Sequence, residues 1–210
     1  MNAGFAELFV AQCAPTLAGL KPANLYRYEP APGEKALAMA HGMDAALRRS
    51  GIRVRVLKEC ARTGALLIYT YRVSAMRRIL ADGRNTAFLS RHGLLAAAGP
   101  GGSTGEEIPA AGTAGDPAEL LPGILDRLSE RLCAEREFPH EIGLLLGYPL
   151  DDVVGFIEHR GQACEASCYW KTYTDPELAK RSEERYRKCS KVYRDCFLRG
   201  VPFPRLIVAA

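Results

Sequence analysis

Thiols are the residues in this chain with the most evident capacity for chemistry. There are seven cysteines, an odd number, and we expect them to be reduced rather than paired in disulfides, since the chain begins with no recognisable export signal. Thiolate and imidazole groups are preferred donors for zinc, iron and iron–sulfur clusters. The cysteines lack the paired short spacing of known metal motifs, so a shared site would depend on the fold.

The same cysteines also have a structural interpretation. Free cysteine is among the residue types most often buried. Cys189 and Cys196 share a helix-periodic stripe with Tyr186 and Tyr193, which favours packing in a core over ligand binding. Cys168 begins a segment with strand character, so a helical metal pair is disfavoured there and an exposed redox thiol is the alternative. Both interpretations stay open from the sequence.

A second group of candidate residues combines lysines with aromatic side chains. If residues 167–173 form a strand, alternation places Lys171 between two tyrosines on one face and Trp170 on the other. Such a face can bind a planar or anionic ligand, although packing alone also favours aromatic residues in strands. We therefore take Lys21, Trp170 and Lys171 as candidate cofactor-binding residues. An enzyme acting on an anionic small molecule would use Lys21 and Lys171 together with His140.

The elements that must position these residues indicate an α+β fold. Residues 52–56 alternate between apolar and charged types, and residues 65–71 form an apolar and aromatic run, which predicts a hairpin whose second strand is buried on both faces. Helical periodicity predicts several helices, and in the first of them Pro15 places Cys13 near the C-terminus. With further strands at 167–173 and 201–208, we expect a small mixed sheet of about four strands packed by several helices.

Length and composition predict a single domain spanning residues 1–210. Residues 99–117 contain six glycines and three prolines without apolar periodicity, which predicts a flexible insertion. No apolar run approaches the ~20 residues of a membrane-spanning helix, so we expect a cytoplasmic protein without a membrane partner. The net charge of +4 is modest and acidic residues interrupt the basic clusters, so nucleic acid is not an expected partner.

Three phrases of the chain resemble a bacterial family of unknown function, domain-of-unknown-function family 3793. They lie at residues 13–19, 138–157 and 169–173, and the resemblance extends over nearly the whole chain apart from the insertion. The resemblance singles out Cys13, His140 and Cys189, because the family pattern has cysteines at the first and last of these positions and a histidine at the second. In the family pattern a cysteine stands where this chain has Ser167, and the nearest thiol here is Cys168. The resemblance implies no substrate, cofactor or partner.

These observations lead to two main hypotheses of different kinds. The first is an intracellular thiol-dependent protein that holds a metal, iron or zinc, or a redox cofactor through Cys13, Cys168 and Cys189, with His140 nearby. The second is a non-catalytic module that binds another protein and whose cysteines are structural. No phosphate loop, dinucleotide fingerprint or hydrolase elbow occurs, so no motif indicates a kinase, dehydrogenase or hydrolase.

Overall fold

Helices form most of the regular structure in the computed structural model, which describes residues 3–95, 116–134 and 137–208. The helices are α1 Ala3–Leu17, α2 Ala36–Leu47, α3 Val73–Ala81, α4 Gly83–Arg91, α5 Leu120–Ala134, α6 Ile142–Leu145, α7 Leu150–Glu158 and α8 Pro176–Leu198. The strands are β1 Ala23–Tyr28, β2 Ile52–Glu59, β3 Leu66–Arg72, β4 Ala166–Ser167 and β5 Lys171–Thr172. The α+β class predicted from the sequence is confirmed.

The main sheet has three antiparallel strands in the order β1-β3-β2. The predicted hairpin is β2–β3, and Ile68 of the central strand β3 is paired with Tyr26 on one side and Val56 on the other. Almost all of β3 is buried, whereas β2 alternates between buried and half-buried residues over its first four positions. An uninterrupted apolar run thus marks the central strand, and alternation marks the strand beside it.

Two hydrophobic cores lie on the two faces of this sheet. Because side chains alternate across a strand, Tyr26, Val54 and Ile68 point to one face, where they pack with residues of α1 and α2 such as Phe9 and Met43. The other face carries Tyr69, Tyr71 and Leu57, which pack with residues of α3 to α7, including Met76, Leu128, Leu145 and Val153. The sheet therefore separates a core formed with the N-terminal helices from a core formed with the later ones.

The four-stranded mixed sheet expected from the sequence is not what the described residues form. Residues 167–173 do not run as one strand: β4 and β5 fold back on each other as a separate two-stranded antiparallel sheet, and the Cys168 amide donates to the Trp170 carbonyl (3.0 Å) across the turn. The strand expected at 201–208 is instead a short 3₁₀ helix, Phe203–Leu206. Pro202 and Pro204 lack the N–H groups that a strand would donate.

Helix α1 is longer than predicted and continues past Pro15 to Leu17. Proline removes one backbone hydrogen bond, but Ala14, Thr16 and Leu17 are completely buried, and this packing outweighs the local cost. The Pro15 carbonyl then accepts hydrogen bonds from the amides of Leu20 (2.8 Å) and Lys21 (3.0 Å). This tight C-terminal turn directs Lys21 back into the protein.

The predicted insertion at 99–117 lies outside the described residues except for its last two positions. In the part of the chain that is described, no helix has the length and apolarity needed to cross a membrane.

Candidate functional site

An aromatic cleft of about 180 Å³ lies between the α6 region, helix α7 and the β4–β5 hairpin. Its walls include the rings of Phe138, Tyr148, Phe156 and Trp170, with aliphatic side chains between them. Lys171 and His140 also line it. A concave, largely apolar surface with few polar groups is the usual form of a small-molecule site.

Tyr148 is placed in the cleft by a tight turn after α6. Gly147 has a φ of +85°, a conformation that glycine adopts without strain. A Cβ atom at this position would lie only 2.5 Å from the ring of Pro22, so the turn also packs closely on the segment before β1. The Tyr148 ring stacks on Trp170 with 5.2 Å between centroids and 20° between planes. The stacked pair forms a flat wall of the cleft.

Asp152 holds the hairpin against α7. The residue is 2% exposed, and its carboxylate accepts five hydrogen bonds: from Trp170 Nε1 (2.7 Å), Thr172 Oγ1 (3.1 Å), Tyr173 N (2.7 Å), Thr174 N (3.0 Å) and Thr174 Oγ1 (2.9 Å). Burial acts to raise its pKa, but these hydrogen bonds outweigh burial and hold the pKa of Asp152 below its usual value. Asp152 is therefore charged, and its charge is compensated by neutral donors.

Lys171 and His140 provide the cleft with nitrogen groups. Lys171 is half-buried, its Nζ donates to the carbonyl of Gly161 (2.7 Å), and it lies 6.0 Å from the centroid of the Phe156 ring. The imidazole of His140 is exposed and lies between the rings of Phe156 and Phe138, at centroid distances of 4.8 and 5.9 Å. The ammonium of Lys171 has three N–H donors, and one bond to a carbonyl leaves it able to bind an anionic group.

Lys21 lies on the other side of Tyr148 and is only 3% exposed. Its Nζ donates to Asn24 Oδ1 (3.1 Å) and lies 4.5 Å from the ring centroid of Tyr169 and 5.3 Å from that of Tyr148. No carboxylate pairs with it anywhere in the described ranges. Burial lowers the pKa of Lys21 to about 7, and the neighbouring Cys13 opposes this shift.

The thiols named as candidate metal ligands occupy different environments. Cys13 is fully buried, and burial raises the pKa of its thiol to about 12, with partial opposition from Thr70 and Lys21. The side-chain hydroxyl of Thr70 makes no hydrogen bond of normal geometry within the described chain. Cys189 is buried on α8, where burial also raises its pKa, and Cys168 is half-exposed in the β4–β5 turn.

The fold groups the candidate residues differently from the sequence hypothesis. Trp170, Lys171 and His140 all line the cleft, and Lys21 contacts the Tyr148 ring that Trp170 stacks on. Cys13, in contrast, lies near the buried amine of Lys21. His140 and Cys13 are therefore in different places, the first among the aromatic residues of the cleft and the second beside Lys21. Among residues 3–95, 116–134 and 137–208, no group of three or more histidine, cysteine, aspartate or glutamate side chains is arranged to hold a metal ion.

Several residues of the cleft were not identified from the sequence. Phe138, Tyr148, Asp152 and Phe156 all lie within the 138–157 phrase, but an apolar helix stripe has the same pattern whether it packs in a core or lines a cleft. Asp152 was interpretable only as an acidic residue in a first helical turn. The only sequence feature that could have indicated the cleft is the set of aromatic residues on either side of α6 and in α7.

Comparison with known proteins identifies one family. A family model described as "Protein of unknown function (DUF3793)" matches residues 9–99 and 112–207, which is most of the chain. No curated protein and no solved structure is significantly similar to it.

Proposed function

We propose that this chain, which belongs to the DUF3793 family of proteins of unknown function, binds a small molecule. The ligand is flat and largely apolar and carries a negatively charged group. The observation that carries the proposal is the cleft whose walls include the stacked pair Tyr148–Trp170 and the rings of Phe138 and Phe156. Aromatic walls bind flat ligands by stacking and by removing apolar surface from water.

The charge preference follows from the polar groups of the cleft. Asp152 is the carboxylate that lines it: its Oδ1 accepts four hydrogen bonds from Thr172, Tyr173 and Thr174, and its Oδ2 accepts one from Trp170 Nε1. Lys171 has donors to spare after its bond to Gly161. An anionic group on the ligand is therefore attracted to Lys171, and the neutral donors around Asp152 stabilise its charge and weaken its repulsion of that group.

Binding can be measured with 2-naphthoate as an anionic flat probe and 2-naphthamide as its neutral counterpart. Trp170 is the only tryptophan of the chain, so its fluorescence reports on the cleft, and calorimetry gives the affinity independently. We expect Phe156→Ala to weaken binding of both probes by roughly tenfold, since aromatic contacts contribute about 0.5–1.5 kcal/mol beyond area burial. Lys171→Met should weaken naphthoate binding and leave naphthamide binding nearly unchanged.

Lys180→Met is the matched control for charge, because Lys180 is exposed on α8 and pairs there with Glu177. It should leave both affinities unchanged. The proposal is wrong if neither probe binds, or if Phe156→Ala and Lys171→Met bind both probes as the unaltered protein does.

The thiol-dependent metal or redox-cofactor site stays a prediction from the sequence. A thiol must lose its proton to ligate a metal, and the raised pKa of Cys13 opposes that step in the metal-free protein. Metal analysis and a visible spectrum of anaerobically purified protein, compared with Cys13→Ala, test it: iron or zinc lost in the variant would support the site. The protein-interaction module is likewise a prediction. It requires that the thiols of the native protein do not react with a thiol reagent.

A further inference from the structure

Lys21 is an unusual residue in this fold. Lysine is almost never fully buried unless it is paired with a carboxylate, and Lys21 has an amide oxygen and two aromatic rings around its Nζ instead. Moving an ammonium group out of water without a counter-charge costs free energy, which an apolar side chain of similar length would avoid. A buried amine of this kind is a candidate for chemistry rather than for packing.

The position of Lys21 relates it to the cleft. The Tyr148 ring lies 5.3 Å from its Nζ, and the same ring stacks on Trp170 and lines the cleft. Tyr148 is thus the shared wall between the amine and the cleft. Lys21 itself does not line the cleft, so contact between its Nζ and a bound ligand requires rotation of the half-buried Tyr148 side chain, because the close approach of Gly147 to Pro22 holds the backbone beside it.

We propose that Lys21 forms an imine with the carbonyl group of a ligand bound in the cleft, so that the ligand class is a flat aldehyde or ketone with an anionic group. This inference rests on the proposed function of the cleft and adds the reactive group of its ligand. The neutral amine attacks the carbonyl carbon and forms a C–N bond. The carbonyl oxygen then leaves as water with the two protons of the amine, and a C=N bond remains, without oxidation or reduction. Hydrolysis reverses the step.

The surroundings of Lys21 favour the neutral amine that this step needs. Attack on a carbonyl requires a free lone pair, and desolvation lowers the pKa of Lys21 to about 7, so a large fraction of the amine is unprotonated at neutral pH. Exposed lysines such as Lys35 and Lys180 lie in water, where ammonium is well solvated. The difference predicts selective reaction at Lys21.

The test uses 6-formyl-2-naphthoate as the carbonyl probe, with sodium cyanoborohydride to reduce the imine to a stable secondary amine. Peptide mass spectrometry then locates the adduct. At pH 7 we expect Lys21 to be modified at least tenfold faster than Lys35, Lys180 or Lys171. Modification of those lysines without Lys21 would overturn the inference.

Two controls separate the chemistry from the binding. In urea-unfolded protein the preference for Lys21 should vanish, which needs no variant. Lys180→Met, which removes an exposed amine outside the cleft, should give the same Lys21 adduct as the unaltered protein. If 2-naphthoate binds in the cleft and the aldehyde leaves Lys21 unmodified, the imine inference fails and the proposed function stands. If Lys21 reacts although 2-naphthoate does not bind, the amine is reactive but not toward a ligand held in the cleft, and both the anionic-ligand proposal and the imine inference fail.

Discussion

Asp44 of α2 and Asp152 of α7 are both buried carboxylates, but their partners differ in charge. Asp44 accepts two hydrogen bonds from Arg53 (2.7 and 3.1 Å), one from Arg48 (3.1 Å) and one from the amide of Val54 (2.9 Å). Asp152 accepts five hydrogen bonds from neutral groups of the β4–β5 hairpin and the residues after it. In both cases hydrogen bonding outweighs burial and lowers the pKa of the carboxyl group.

The two carboxylates therefore have different roles: Asp44 connects two elements of the fold, and Asp152 positions residues of the cleft. Asp44 joins α2 to β2, a strand that also pairs with β3, and the side chains of Arg53 and Arg48 are 38% and 65% exposed, so they can return to water. Asp152 organises two strands of two residues each, which have little hydrogen bonding of their own. Asp152 therefore fixes the geometry of the hairpin together with the stacking of Trp170 on Tyr148, and the position of Trp170 in the cleft depends on both.

The largest expected effect comes from replacing each carboxylate by an amide. In Asp152→Asn one oxygen becomes an NH₂ donor that faces other donors, and we expect a loss of about 3–5 kcal/mol in the free energy of unfolding, since each buried group left unsatisfied costs about 1–3 kcal/mol. Asp44→Asn should lose about 1–2 kcal/mol, because its arginines are partly solvated. Urea denaturation followed by circular dichroism measures both, and a red shift of Trp170 emission should accompany Asp152→Asn alone. Equal losses would refute the distinction.

Replacing a glycine by alanine in each of the same two helices, α7 and α2, should have smaller effects. Gly155 of α7 lies against Tyr173, and an added Cβ would be 2.7 Å from the ring, so Gly155→Ala should destabilise the protein by about 1–3 kcal/mol through overpacking. Gly42 of α2 has open space around it, so Gly42→Ala should stabilise it by about 0.5–1 kcal/mol. Thermal unfolding measures both; shifts of the same sign would contradict the packing of α7 on the segment that Asp152 holds.

The same contrast explains how far the sequence predicts this molecule. The β2–β3 hairpin was predictable because alternation and an apolar run are local signals, and the α+β class followed from them. The β4–β5 hairpin was not, because strands of two residues have no periodicity and depend on Asp152, far away in the sequence. Lys21, Trp170 and Lys171 were identified by residue type, but their relation through Tyr148 is a property of the tertiary structure.

The smallest effects are those of acid and salt on the two carboxylates. Since the folded-state pKa of each is lowered, each contributes stability that is present above the unfolded pKa of about 3.9 and is lost as the pH falls through the folded-state value. The deficit of each Asn variant relative to the unaltered protein should therefore shrink below about pH 4. Urea midpoints measured between pH 7 and pH 3 test this, and a deficit that grows on acidification would contradict it.

Salt then distinguishes the two sites at neutral pH. At 0.5 M sodium chloride the attraction of Asp44 for its partly exposed arginines is screened, so the deficit of Asp44→Asn should fall by about 0.5 kcal/mol. The partners of Asp152 are neutral and shielded from ions, so the deficit of Asp152→Asn should stay constant. Sodium chloride titrations of the urea midpoint measure the difference. If the Asp152→Asn deficit also shrinks with salt, a cation outside the hairpin contributes to that site, and the assignment of its stability to neutral donors is wrong.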